Sequence, residues 1–271
     1  MSFKIGFTSE NINTTLPQET AAVPQAEAAP RKSVVQIYFA DRNMILAYYN
    51  DRFDLKVGDW VYVDGKLEGL RGRVTSVNYN FKIKLSAYQR VIAKIDTDVH
   101  GAFFHVGSHV VTFDRHALPA EQVITWFRAP LPEEEEIAAG FDDTAFSLDN
   151  LEEMHAESKI VERGHDYYME NRVRYLCIDD AKGYAIVEGT DTYEVEFEFR
   201  NRTVKNLTCS CFCSYPCKPE VAAMLQLRES LDRIAENYKE EYEQSAYLAL
   251  LSKNALFSYV LAGKETGSLS L

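Results

Sequence analysis

The pattern of apolar and polar positions changes character several times along the chain. Residues 8–32 contain almost no bulky apolar side chains and are rich in Thr, Gln, Ala, Glu and Pro, a composition that cannot bury enough surface to order itself. From Val34 onward, short apolar runs at 34–39, 44–49, 60–63, 73–77 and 103–106 are separated by turn residues, which predicts strands. Asp64-Gly65 follows the third run and predicts a tight type I′ hairpin, because both residues tolerate positive φ. Residues 120–127 predict a short helix. A second folded region begins near Glu157, with a helix at 159–170 and strands at 172–177, 184–188, 193–199 and 203–208, the last two joined through Arg200-Asn201-Arg202. Beyond Pro219, Met224, Leu227, Leu231, Ile234 and Tyr238 recur at spacings of three and four and line one helix face. Residues 246–261 read as a second apolar helix, packed with the first as a helical hairpin on the sheet.

The expected class is therefore α+β. Its parts are a flexible leader (1–32), a small β-barrel-like domain (33–128), an acidic linker (129–157), a helix-plus-four-strand domain with helical tail (158–262), and a terminal tail (263–271). Phe3, Ile5 and Phe7 alternate within the leader and read as a strand or a short docking peptide. The segment VGDWVYVDGKLEGLRGRVTSV is similar to small SH3-like or Tudor-like barrels, in which a Gly-Asp pair opens one strand and a glycine precedes the next.

Charge sharpens this division. The net charge is -12, yet residues 129–158 carry ten carboxylates and no Lys or Arg. Between Lys66 and Lys94 the balance reverses: Lys66, Arg71, Arg73, Lys82, Lys84, Arg90 and Lys94 face Glu68 alone. The acidic whole is thus compatible with an anionic partner for one part. No window approaches the roughly 18 consecutive apolar residues of a membrane helix, and the amino terminus lacks the apolar stretch of a signal peptide, so a cytoplasmic protein is expected.

Four of the five cysteines fall within nine residues, Cys209, Cys211, Cys213 and Cys217. In a reducing compartment such a cluster points to metal, and thiolates are soft ligands that suit zinc. Residues two apart share a strand face, so Cys209 and Cys211 can converge. Cys213 joins them only if the chain bends near Phe212, and Ser214-Tyr215-Pro216 supplies a turn that returns Cys217. The fifth, Cys177, sits in an apolar strand and reads as a small core residue.

A leading helix containing Arg163-Gly164 and Tyr167-Tyr168, a four-stranded meander, Thr208-Cys209-Ser210-Cys211, then Cys217-Lys218 and a helix resemble the SWIM zinc-finger family over about residues 158–232. The resemblance implies that Cys209, Cys211 and Cys217 are zinc ligands in a closed, structural knuckle. The family's fourth ligand is His, and here that position is Pro219, which cannot ligate. Three outcomes remain open at this point: Cys213 as the fourth ligand, completion by another group such as Glu220, or a finger that folds without metal.

Other chemistry is weaker. His100, His105, His109 and His116 lack the carboxylate or cysteine spacing of a second metal site, and His165-Asp166 lacks the partner ligands of a metal-dependent phosphohydrolase. There is no phosphate-binding glycine loop and no nucleophile elbow. The expectation is a non-catalytic zinc protein that binds nucleic acid, DNA in particular. Its contacts would come from Lys66, Arg71, Arg73, Lys82 and Lys84, with Tyr79, Phe81 and Tyr88 interleaved, and from Arg200, Arg202 and Lys205. The alternative is an adaptor that docks on a helicase or another DNA-processing protein through the finger and the 224–238 stripe.

Overall fold

The structure, a computed structural model, describes residues 2–7, 30–130, 140–141, 144–211, 213, 215–245, 247–261 and 268–270. Its strands in chain order are β1 (Ser2–Phe7), β2 (Ser33–Phe39), β3 (Met44–Asn50), β4 (Trp60–Val63), β5 (Gly72–Asn78), β6 (Val91–Ile95), β7 (Val99–Val106), β8 (His109–Thr112), β9 (Ala145–Ser147), β10 (Val173–Asp179), β11 (Lys182–Glu188), β12 (Thr192–Arg200), β13 (Thr203–Cys209), β14 (Tyr247–Ser252) and β15 (Ser268–Ser270). The principal helices are α1 (Ala120–Phe127), α2 (Ser158–Met169) and α3 (Lys218–Asn237). The class is α+β, built on two antiparallel sheets. The chain divides into two compact units, one comprising 1–10, 97–124 and 136–271, the other 11–96 and 125–135.

In the smaller unit the strand order is β3-β2-β5-β4-β6. β2 alternates strictly, with Val35, Ile37 and Phe39 buried among Val61, Val63, Val74 and Val91. This is the period-two pattern of a sheet with one face on the core. The expected barrel is not closed: β3 and β6 are not paired along their length, and their ends meet at a bridge between Tyr49 and Arg90. The expected type I′ turn is also replaced. Asp64 keeps a negative φ of -81°, a single 3-10 turn occupies Gly65–Leu67, and β4 pairs with β5 through Val61 and Gly72. β6 was not anticipated, although Val91, Ala93 and Ile95 alternate in burial as a half-buried strand should.

The larger unit contains a sheet of order β15-β1-β7-β8-β14-β10-β11-β12-β13-β9. β10 to β13 form the expected meander, and α2 precedes it as expected. On one face Leu176, Ile178, Ala185, Val187 and Val195 pack with Val221, Met224, Leu227, Leu231 and Ile234 of α3. On the other, Tyr175 and Tyr247 both donate their hydroxyls to the carbonyl of Leu118, at 2.9 and 2.6 Å.

Three boundaries differ from expectation. First, residues 247–252 are a strand, with helix only from Lys253–Ala255 onward; Ala246 lies outside the described residues. All six side chains of β14 are buried, Leu248 and Leu250 in the core shared with α3 and Tyr247 on the other face against Leu118, and a run buried on both faces shows no period to distinguish strand from helix. Second, β7 and β8 join this larger sheet, so the expected 33–128 domain is divided after Asp96 and again after Ile124, with 97–124 in the larger unit. Third, the expected linker contains folded structure. β9 pairs with β13, Leu148 is fully buried and Met154 is buried at the end of the 3-10 turn Leu151–Met154, while residues 131–139 lie outside the described residues. From the leader and tail, β1 and β15 pair with each other, and β1 also pairs with β7.

Candidate metal centre

β13 delivers the first thiol. Cys209 is its last residue, opposite Val195 of β12. Ser210 then ties the chain to β12 from both sides: its amide donates to the Glu194 carbonyl at 2.9 Å, and its Oγ accepts from the Glu194 amide at 2.9 Å. With Ser210 anchored, Cys209 and Cys211 are free to converge. The Cys211 amide donates to Cys209 Sγ at 3.4 Å.

The third thiol comes from the start of α3. Cys217 is the residue before the helix, with extended backbone at φ -120° and ψ 168°. Pro219 sits in the first turn, where its missing amide hydrogen has no helical partner to lose. Glu220 accepts the Cys217 amide at 2.8 Å, while its own amide faces Cys217 Sγ, so the two residues form a capping box built on sulfur. This beginning of α3 packs against α2 at Gly164, where an added Cβ would come within 2.5 Å of Val221 Cβ. Tyr167, one helical turn on, has two cations over its ring, with Arg172 Cζ 4.6 Å and Lys218 Nζ 5.2 Å from the ring centre.

The result is that Cys209, Cys211 and Cys217 hold their sulfurs within 4.8 Å of one another, the last buried and the others half-buried. Tetrahedral thiolate coordination at about 2.3 Å requires sulfurs roughly 4 Å apart, so only a small contraction separates this arrangement from a metal site. Electrostatics sets the condition an ion would have to meet. Burial pushes the Cys211 thiol up to about 12. Cys217 is raised by its hydrogen bond with Cys209, by burial and by the Glu220 carboxylate. Thiols this crowded resist ionising together, and a soft divalent cation removes that obstacle by placing positive charge among them. The donor set therefore fits a metal ion.

Cys213 is exposed and neighbours Cys211, but it does not belong to the set of mutually close sulfurs. The expected four-cysteine set is thus assembled in three of its members. Glu220, weighed as an oxygen ligand, is engaged with the Cys217 amide. Phe212, where a bend was expected, lies outside the described residues. Two contributors were not singled out from sequence as supports, Ser210 and Glu220 as a cap. The Cys-x-x-Glu spacing at the helix start was the signal available for the second.

Compared with protein-family models, curated proteins and solved structures, the chain matches none.

The basic residues fall in different units. Lys66, Arg71, Arg73, Lys82 and Lys84 are exposed in the smaller unit. Arg90 and Lys94 of the same stretch are paired with Asp51 at 2.8 Å and Asp59 at 3.1 Å. In the larger unit Arg200 and Lys205 are exposed, whereas Arg202 is held by Asp149 at 2.6 Å and Asp232 at 2.9 Å. Arg202, one of the expected contacts, is thus already paired with two carboxylates of its own unit. The stripe of Met224, Leu227, Leu231 and Ile234 is buried in the core, which removes it as a docking face for a protein partner.

The histidines do not form a site among the described residues. Gly107-Ser108 is a tight turn between β7 and β8, with Gly107 at φ +58°, so His105 and His109 lie on different strands. His109 is fully buried, its Nε2 2.7 Å from the Val173 carbonyl and its Nδ1 3.0 Å from Ser108 Oγ. His165 and Asp166 are exposed on α2.

Proposed function

We propose that the chain is a non-catalytic, zinc-binding protein of the SWIM type that acts by binding nucleic acid, DNA in particular. The observation that carries this reading is the meeting of three thiols within 4.8 Å at the junction of β13 and α3, in the order and spacing of the motif. Cys209, Cys211 and Cys217 would hold the ion, with Cys213 reaching in from the adjoining loop as the fourth ligand. The ion supplies cohesion rather than reactivity, since a closed thiolate site leaves no position for water. It would fasten the last strand of the meander to the start of the helix that covers it. The exposed cations of the smaller unit support an anionic partner.

Two measurements test the reading. Metal content of the purified protein by mass spectrometry is expected at one zinc per chain, lost in Cys217→Ser and reduced in Cys213→Ser. Near-zero zinc in the unaltered protein would remove the metal half of the proposal. Titration with single- and double-stranded oligonucleotides at low salt tests the other half, and no binding to either would end it.

A further inference from the structure

The five-stranded sheet of the smaller unit turns one face to its own core through Val35, Ile37 and Val74. On the opposite face the register lays four side chains in a line across four adjacent strands. Ile45 of β3 lies opposite Tyr38 of β2, Tyr38 opposite Arg73 of β5, and Arg73 opposite Trp60 of β4. Neighbouring strands are about 4.8 Å apart, so the line runs roughly 15 Å. Ile45 is 55% and Trp60 38% exposed, Arg73 is exposed and Tyr38 half-buried. The Arg73 guanidinium stands 6.0 Å from the centre of the Trp60 ring. The Tyr38 hydroxyl donates to Asn43 Oδ1 at 3.2 Å, which steadies its ring.

The same face is covered at its β6 side, where Ile95 opposite Trp60 and the pair Tyr62 and Ala93 are buried, so the line is the part of the face left to water. There two rings flanking a guanidinium form a stacking surface rather than a core. Every nucleobase has a π-face, and Arg as well as aromatic rings can cover it. The surrounding charge selects for an anion. The excess is local: from Lys66 to Lys94 seven Lys and Arg, Arg73 among them, stand against Glu68 alone, although the chain as a whole is at -12. A duplex keeps its bases stacked inside and offers only backbone to such a face, whereas a single strand offers both phosphate and ring.

We propose that this line is a binding path for single-stranded nucleic acid, with Trp60 and Tyr38 stacking bases and Arg73 contacting a base face or phosphate between them. The path rests on the nucleic-acid reading above and narrows it to strand type and place. The exposed Arg71, Lys82 and Lys84 of the same unit add attraction for the backbone.

Tryptophan fluorescence of the full-length protein provides the test, because the chain has two tryptophans and Trp126 is fully buried. Titration with a mixed-sequence single-stranded DNA oligonucleotide is expected to quench emission from Trp60, and Trp60→Phe to remove most of that quenching. Trp60→Ala and Arg73→Ala are each expected to weaken binding, measured by anisotropy of the labelled oligonucleotide, by about 5- to 150-fold for a lost stacked base. Duplex of the same sequence is expected to compete poorly. Thermal melts of the variants confirm that they are folded. Binding that persists unchanged in both variants, with no change in emission, would overturn the path while leaving nucleic-acid binding intact. Equal competition by duplex would overturn the strand preference. Failure of the full-length protein to bind any oligonucleotide would overturn the path and the broader reading together.

Discussion

At Cys217 a thiol stands where helices ordinarily begin with a hydroxyl or carboxylate, and the same sulfur faces two other cysteines. Its two roles can be separated. Cys217→Ser keeps a helix cap and removes a soft ligand, so helix stability should be little changed without metal while zinc retention falls sharply. Both are measurable, by thermal melts in chelator and by metal analysis. Cys177→Ala is the matched control: Cys177 is buried in β10, and its loss should leave zinc content unchanged. His109 gives a pH prediction. Burial lowers its pKa to about 4, well under the 6.5 of an unfolded chain. Between those values the unfolded state binds a proton that the folded state refuses, so stability rises with pH. Its contribution is fully present above pH 6.5 and declines as pH falls towards 4, by about 3 kcal/mol over that window. Urea midpoints across this range should show the slope, and His109→Gln should flatten it. Arg202 makes the opposite kind of prediction. Because Asp149 and Asp232 already hold it, Arg202→Gln should change oligonucleotide affinity by less than about twofold, against the large effect expected at Arg73.

Among elements, the closest approach is that of α2 to the beginning of α3. Gly164→Val would drive a side chain into Val221, with an added Cβ 2.6 Å from Cγ1, and overpacking of this kind costs about 1–3 kcal/mol. The expected readout is a lower midpoint of thermal unfolding together with weaker zinc retention, because the displaced helix start carries Cys217. The elements legible in sequence were those with a period. In β12, Val195, Phe197 and Phe199 are buried and Glu196 and Glu198 exposed between them, and in α3 the three-and-four spacing marked its buried stripe. β14 is buried on both faces, so its sequence carries no alternation to read. The cysteine site was legible in three of its four expected members, because motif spacing constrains residues near β13 and α3 but not the loop that carries Cys213. Of the line of Ile45, Tyr38, Arg73 and Trp60, only Arg73 was legible as a contact, and the line itself was not. It depends on the register of β2 with β5, which are separated in the chain by β3 and β4, and no local pattern records which residues will face one another across a sheet.

For the molecule as a whole, the net charge of -12 is a poor guide to what a partner meets. Acidic residues concentrate at 129–158, and basic ones between Lys66 and Lys94. At ionic strengths where the screening length is about 10 Å, a ligand responds to the local surface rather than to the sum. The logarithm of oligonucleotide affinity should therefore fall with the logarithm of salt at a slope of about -2 to -3, as for a few phosphate contacts, despite the acidic total. Anisotropy titrations at several salt concentrations would establish the slope, and a slope near zero would argue against phosphate contacts.

The position of β14 has a consequence for how the protein is made. Of the strands that flank it, β8 and β10 are synthesised long before Tyr247–Ser252, so a chain emerging from the ribosome holds two unpaired edges until that late segment appears. Until then the large sheet is two separate pieces with apolar borders, the state most exposed to aggregation and to chaperone capture.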